Sequence, residues 1–217
     1  MIVSDVIARV RSTFGDAAAV QVQDDDIKRW INDAQIEIIK YNDSALQKSA
    51  FINLVAAQAQ YTLPTDLLIL RSLRYKYTSM LSYNLLRYQS MQQFDESIDG
   101  WDGTTYAQGT PQFFTKDEGK IILFPVPDQS ATAGLKVVYN QQPTDVVGLS
   151  DALSLPLIYH NVINKYCMWQ ASLLDEDHEP ALMYKSDFQD DVNRLMANET
   201  KDPVATYPTI TVLEYDQ

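Results

Sequence analysis

Apolar residues recur at helical spacing near the N-terminus of the chain. Ser4 is placed to cap a first helix, and Gly15 marks the end of that helix. Asp24 is placed in the same way to cap a second helix. The apolar faces predicted for these two helices are Val6, Ile7, Val10 and Phe14, followed by Ile27, Trp30, Ile31, Ala34 and Ile38.

Helical spacing returns after Pro156, where two further helices flank an acidic turn at residues 175–179. The predicted buried stripes are Ile158, Val162, Ile163, Tyr166, Trp169 and Leu173, then Leu182, Tyr184, Phe188, Val192 and Leu195. Neither helix pair holds a complete core by itself. We therefore expect the N-terminal and C-terminal pairs to pack together as a four-helix bundle.

The middle of the chain alternates between apolar and polar residues and is rich in strand formers. Strands are predicted at 51–55, 61–63, 67–77, 85–88 and 135–139, with a hairpin from 112–115 to 120–124, a short helix at 90–98 and a loop at 99–111. The fold class predicted is α+β. A helical bundle domain, 1–50 and 151–200, carries an inserted small antiparallel β-sandwich or barrel, 51–150.

The last segment, 201–217, follows neither pattern and is too short to hold a core. It contains two prolines and is rich in Val, Ile and Thr. These features favour an extended C-terminal arm that adds a strand to the sheet of a neighbouring chain. The alternative is a strand that packs back onto the β domain of the same chain.

Composition and charge narrow the class of protein. The 217 residues are 46% hydrophobic and 21% charged, which is typical of a globular protein. No apolar run reaches the ~18 residues of a membrane helix, and no secretory signal is visible at the N-terminus. A single cysteine, Cys167, excludes an intramolecular disulfide and fits a reducing compartment.

The net charge is −12, and residues 151–217 hold four Lys or Arg against twelve Asp or Glu. So acidic a chain should repel nucleic acid instead of gripping its phosphates. Two interpretations remain open. The acidic surface either serves solubility or forms a wall that DNA passes without sticking.

Candidate chemistry is sparse along the chain. His160 suits a surface or interhelix position, and the acidic run around His178 lacks the alternation and glycine of a calcium loop. Cys167 is predicted to be a core thiol. No glycine-rich phosphate loop or Gly-x-Ser-x-Gly elbow occurs in the sequence. The sequence therefore predicts no catalytic residue, metal or cofactor.

Taken in order, several segments resemble the head–tail adaptor (connector) proteins of tailed bacteriophages, and most closely the tail tubular protein A type of short-tailed phages. The resemblance covers about residues 3–196. The segments that carry it are 3–11, 26–38 with its run Trp-Ile-Asn-Asp-Ala, 57–64 ending in Tyr-Thr-Leu-Pro, 120–127 ending in Pro-Val-Pro, and the closing helix pair.

The resemblance implies a ring of usually about twelve copies in the virion neck, assembled in the host cytoplasm, with no cofactor and no membrane. Its partners would be the portal protein and tail nozzle or fibre proteins, and genomic DNA would pass through without specific binding. The candidate portal-binding side chains are Tyr207, Ile210, Val212, Leu213 and Tyr215. The candidate channel-lining side chains are Asp187, Asp190, Asp191 and Glu199, and those of a tail-contact loop are Trp101 and Tyr106.

Two other functions are alternatives to the adaptor. In the first, the protein is an oligomeric module that binds a glycan or host-surface ligand, with Trp101 stacking on a sugar. In the second, it is an enzyme such as a cell-wall hydrolase. The enzyme has little support because the available carboxylates form no specific acid–base pair.

Overall fold

The chain divides into two compact units in a computed structural model that describes residues 1–16, 18–42, 45–97 and 107–199. The helical unit comprises Met1–Ser44 together with the described part of Asp145–Gln217. The β unit is Ala45–Thr144. With helices in one unit and mainly antiparallel sheets in the other, the fold belongs to the α+β class predicted from the sequence.

Four long helices build the helical unit. The helices of the chain are α1 (Val3–Phe14), α2 (Asp24–Tyr41), α3 (Met91–Ser97, in the β unit), α4 (His160–Leu174, preceded by a 3₁₀ turn, Leu157–Tyr159) and α5 (His178–Glu199). Helix α4 packs against α1, α2 and α5. The largest buried apolar side chains of α2 and α4 include Ile27, Ile31, Ile38, Ile39, Val162, Ile163 and Tyr166.

The start of α1 differs from the prediction of a Ser4 cap. Ser4 lies inside the first turn, and its N–H donates to the carbonyl oxygen of Leu149 at 2.9 Å. The N–H of Ile2 donates to the Asp5 carboxylate at 3.0 Å. Asp24 likewise is the first residue of α2 and not its cap. The free N–H groups of α1 are therefore bonded partly to a loop that is distant in sequence, and no local sequence pattern reveals this contact.

The β unit contains three sheets. Its strands are β1 (Gln47–Leu54), β2 (Gln60–Thr62), β3 (Leu67–Tyr75), β4 (Asn84–Leu85), β5 (Arg87–Tyr88), β6 (Gln108–Gly109), β7 (Phe113–Asp117), β8 (Lys120–Phe124), β9 (Val126–Pro127) and β10 (Ala131–Gln141). One sheet has the order β1-β10-β3-β4, the second β2-β8-β7-β5, and β6 pairs with β9. Both four-stranded sheets contribute to one buried cluster, which includes Leu54, Tyr61, Leu73, Phe114, Ile121, Leu123, Leu135, Val137 and Tyr139.

The predicted hairpin is confirmed as β7 and β8. Its two-residue turn is Glu118–Gly119, and both residues have positive φ, 39° and 80°. Such a turn matches the right-handed twist of the strands it joins, and glycine adopts it without steric cost. The strands predicted at 51–55, 61–63, 67–77 and 135–139 are also present, although β1 begins at Gln47, ahead of the predicted start at Phe51. The single strand predicted at 85–88 is wrong, because this segment divides into β4 and β5, which pair in different sheets. The predicted loop 99–111 includes β6 at its end.

A test of core packing follows from Gly134 on β10. A Cβ at this position would lie 2.8 Å from Leu54 Cδ1 and 2.9 Å from the Ala131 carbonyl oxygen. We expect Gly134→Ala to lower the free energy of unfolding by roughly 1–3 kcal/mol because the core must shift to admit the methyl group. Gly109→Ala is the control, since its Cβ would meet Pro125 at an ordinary 3.6 Å. Equal denaturation midpoints for the two variants would contradict this account.

Candidate interaction surfaces

The end of the α4–α5 pair exposes apolar residues. We call this surface the hairpin tip and define it as Leu173, Leu174, residues 175–179, Leu182 and Met183. Leu173 is 41% exposed and Leu182 is 68% exposed, so the prediction that both belong to buried stripes is wrong. Ile158, predicted in the same stripe as Leu173, is 55% exposed. Apolar side chains clustered on a surface mark a place where another molecule binds.

The backbone of the hairpin tip is well bonded. The N–H of Asp177 donates to the Ser172 carbonyl oxygen at 3.0 Å, and the N–H of Glu176 donates to that of Leu173 at 3.3 Å. Glu176 has a φ of 58°, the left-handed conformation that ends many helices. The exposed side chains of the tip are therefore presented by an ordered turn.

An aromatic cluster fixes α5 on α4. The rings of Tyr166 and Phe188 meet edge to face with centroids 5.3 Å apart, and Tyr166 meets Trp169 at 5.2 Å. Lys185 Nζ lies 5.3 Å from the centroid of the Trp169 ring. Burial, followed by the charges of nearby carboxylates on α2, raises the pKa of Tyr166 to about 12. The cluster stabilises the helix pair that carries the tip.

The acidic residues predicted to line a channel do not form one uniform face. Lys165 Nζ lies 2.6 Å from Asp191 and 4.0 Å from Asp187, so these two carboxylates share a cation on α4. Asp190 lies instead beside Tyr41 at a cleft of about 190 Å³. Lys165 therefore offsets part of the negative charge predicted for this part of α5.

A loop between the β unit and α4 is fastened to α2 by two polar side chains. Asn32 exchanges two hydrogen bonds with the backbone of Val146, at 2.8 and 3.3 Å, and the N–H of Ser154 donates to Gln35 Oε1 at 2.8 Å. The loop covers part of Asn32, which is half-buried. The fastened loop presents Val147, which is 74% exposed.

Asp16 organises the connection between α1 and α2. Its buried carboxylate accepts the backbone N–H groups of Val20, Gln21 and Val22 at 2.8–3.0 Å. These hydrogen bonds, aided by the charge of Arg11, hold the pKa of Asp16 below its ordinary value of 3.8. The sequence analysis assigned no role to Asp16.

The lowered pKa of Asp16 predicts a pH dependence of stability. A carboxyl whose pKa is depressed by folding stabilises the protein above about pH 3.8, and this contribution is lost as the pH falls through the folded-state pKa. We expect Asp16→Asn to lower the thermal midpoint by several degrees at neutral pH, with a difference from wild type that narrows below about pH 3.8. Calorimetry across that range measures both, and the exposed Asp190→Asn is the control. A pH-independent difference would contradict the assignment.

The outer face of the β1-β10-β3-β4 sheet carries a row of residues that crosses all four strands. In register order the row is Phe51, Lys136, Arg74 and Leu85. Neighbouring register positions such as Leu135 and Val137 point into the core, so this row faces outward. Phe51 is 56% exposed and Leu85 is 63% exposed. We call this row, with Lys76 and Tyr83, the basic sheet face.

Aromatic rings and cations of the basic sheet face contact one another. The rings of Phe51 and Tyr83 lie 6.1 Å apart, Lys136 Nζ lies 6.0 Å from the Phe51 ring, and Lys76 Nζ lies 5.8 Å from the Tyr83 ring. The Tyr83 hydroxyl donates to the Ala133 carbonyl oxygen at 2.8 Å, which holds its ring in place. Within the described part of the chain, no carboxylate forms an ion pair with the three cations of this face.

Charge is divided unequally between the two units. The β unit contains eight Lys or Arg and eight Asp or Glu, so its formal charge is zero. The whole charge of −12 therefore falls on the residues of the helical unit. The β unit, with its local cluster of cations, therefore differs strongly in charge from the helical unit.

Several predicted site residues lie outside the description that the structure gives. Trp101 and Tyr106 fall in the undescribed segment 98–106, and the whole candidate portal-binding arm falls in 200–217. Glu199 ends α5, but its side chain is not described. The roles assigned to these residues stay predictions.

The two histidines and the cysteine contribute no assembled site among the described residues. His160 is buried, and its Nε2 lies 2.9 Å from the Leu155 carbonyl oxygen. Cys167 is fully buried, as predicted for a core thiol, and burial raises the pKa of its thiol. Over the described ranges, no group of three or more potential ligands is placed to hold a metal ion, and no helix is long and apolar enough to cross a membrane.

Exposed apolar surfaces bordered by opposite charges characterise a protein that works through its contacts with other proteins. The chain belongs to the SU10 adaptor protein family, whose model matches residues 1–210. This is a structural family of bacteriophages and not a family of enzymes, and it confirms the resemblance to head–tail adaptors. Membership implies a virion-associated protein that contacts portal and tail components. No curated protein matches the chain.

Proposed function

We propose that the protein is a head–tail adaptor that forms a ring of about twelve copies, joins the capsid portal to the tail and continues the channel for DNA ejection. The family match over residues 1–210 carries this proposal. In this ring, α1, α2, α4 and α5 act as a four-helix bundle, and the two larger sheets form a small β-sandwich. The protein has no catalytic step and needs no cofactor.

The acidic helical unit suits the wall of a DNA channel. A surface of like charge lets the phosphate backbone slide past, whereas a basic wall would hold it by counterion release. We assign part of this wall to Asp187, Asp190, Asp191 and Glu199. Lys165 lies within ion-pair distance of Asp187 and Asp191, so this part of the wall stays acidic but is partly neutralised.

Contacts with the portal and the tail are assigned to segments outside the described residues. The arm residues Tyr207, Ile210, Val212, Leu213 and Tyr215 dock on the portal as an added strand. Trp101 and Tyr106 contact the tail nozzle or fibre proteins from their loop. Assembly takes place in the host cytoplasm, before the tail is completed.

The test is the mass of the purified protein, alone and mixed with the portal ring of its phage, by native mass spectrometry. We expect a complex in which one portal ring carries about twelve copies, matching closed cyclic symmetry. A protein that ignores the portal ring and remains a monomer would overturn the proposal. Binding of sugars that is lost in Trp101→Ala would support the ligand-binding alternative instead.

A further inference from the structure

The hairpin tip carries unpaired negative charge next to its exposed apolar residues. Four carboxylates stand in five consecutive positions, 175–179, and no Lys or Arg occurs between Lys165 and Lys185. Within the described residues none of these four forms an ion pair. Leu174 is 54% exposed and Met183 is 56% exposed, so apolar area and acidic groups lie on the same small surface.

The basic sheet face presents the opposite composition. Arg74 and Lys136 are direct register partners on neighbouring strands, so two like charges stand opposite each other in the same sheet. Such a cross-strand pair destabilises an isolated sheet. Carboxylates brought by a partner would remove this repulsion, and the exposed Phe51 and Leu85 at the two ends of the row would supply apolar contact.

We infer that the hairpin tip of one copy docks on the basic sheet face of the next copy, and that this contact joins neighbouring subunits. The inference rests on the proposed ring and names the two surfaces that close it. Because the two surfaces differ, the contact is heterologous, and repetition of such a contact closes into a ring when the rotation allows it. Charge complementarity between the two surfaces selects a second copy of this chain as the occupant.

Charge reversal gives a direct test. Arg74→Glu with Lys136→Glu makes the sheet face acidic, whereas Asp175→Lys, Glu176→Lys and Glu179→Lys together make the tip basic. Each variant then repels its own copies, and we expect each to need a roughly tenfold or higher concentration for assembly. Lysines at 175 and 176 stand at the end of α4, where the helix dipole favours cations, and all three positions are exposed, so folding should be preserved.

Two rescue experiments separate an interface from a folding defect. A chain with all five substitutions has a basic tip and an acidic face, so it should assemble again. An equimolar mixture of the face variant and the tip variant should also assemble, because every contact then joins opposite charges. Lys116→Glu with Lys120→Glu, exposed on the other four-stranded sheet, changes the net charge equally and is the matched control that should assemble normally.

Assembly is measured by sedimentation and native mass spectrometry, with and without the portal ring. If wild type forms rings and all variants do so equally, the docking contact is overturned while the adaptor function stands. If wild type does not assemble even on the portal, both fail. Binding of a short duplex oligonucleotide that is lost in Arg74→Glu with Lys136→Glu, with unchanged assembly, would assign the face to nucleic acid and overturn the inference.

Discussion

Leu135→Ala is expected to lower the free energy of unfolding of the β unit by roughly 2–5 kcal/mol. Leu135 is fully buried on β10, the strand that pairs with both β1 and β3. Its register partners are Ile52 and Tyr75, so the truncated side chain would leave a cavity at the centre of the sheet. Chemical denaturation is monitored through the hydrogen exchange of β-unit amides. This readout measures the loss of unfolding free energy in the β unit without assuming that both units unfold together.

Leu85→Ala is the matched control for this substitution. It removes the same atoms from the same sheet, but Leu85 is 63% exposed and should change stability by less than about 0.5 kcal/mol. Comparable losses in the two variants would mean that the described core is wrong. The difference between them isolates burial, because side-chain type and sheet are held constant.

Removal of residues 203–217 is expected to abolish docking on the portal while both units remain folded. Full burial of one aliphatic side chain contributes about 1.5–3 kcal/mol, so loss of five apolar or aromatic residues should weaken binding by a hundredfold or more even after the cost of ordering the arm. Surface plasmon resonance on immobilised portal rings measures the affinity. Circular dichroism of the truncated chain checks that its helices and strands persist.

Point variants distinguish the arm from a structural tail. Ile210→Asp and Leu213→Asp should each reduce portal binding strongly, whereas Thr209→Ala should have little effect. If the truncated chain loses its cooperative unfolding transition, the segment belongs to the fold of its own chain. That outcome would support the alternative of a strand that packs back on the β unit.

Local sequence signals predicted most of the secondary structure. The β7–β8 hairpin was recoverable because a glycine turn separates two runs of strand formers, and the helices were recoverable from apolar spacing and from Gly15. The helix caps were less predictable. The N–H groups in the first turn of α1 donate to the carbonyl oxygens of Leu149 and Asp151, which are far away in sequence.

Apolar spacing could not tell a core from an interface. Leu173 and Leu182 keep helical spacing with buried residues, yet both are exposed. Periodicity shows that an apolar stripe needs a partner surface, but it does not show whether that surface lies in the same chain. The contacts of Asn32 and Asp16 escaped the sequence analysis for a related reason. Polar residues normally face water, and only the folded loops show the backbone groups that they bind.

The basic sheet face was also invisible to sequence reasoning. The row at its centre comes from β1, β3, β4 and β10, and its register partners Phe51 and Lys136 are 85 residues apart in sequence. The neighbours of Arg74 depend on strand order, which local alternation does not reveal. The pairing of two like charges across the sheet therefore emerged only from the register.

The β unit enters and leaves through neighbouring positions. Gln47, at the start of β1, is the register partner of Asn140 near the end of β10, so the first and last long strands of the unit begin and end about 5 Å apart. A segment whose entry and exit strands are paired in this way carries its own closure. Recombination can therefore exchange it as a cassette, since the pairing that closes the segment travels with it.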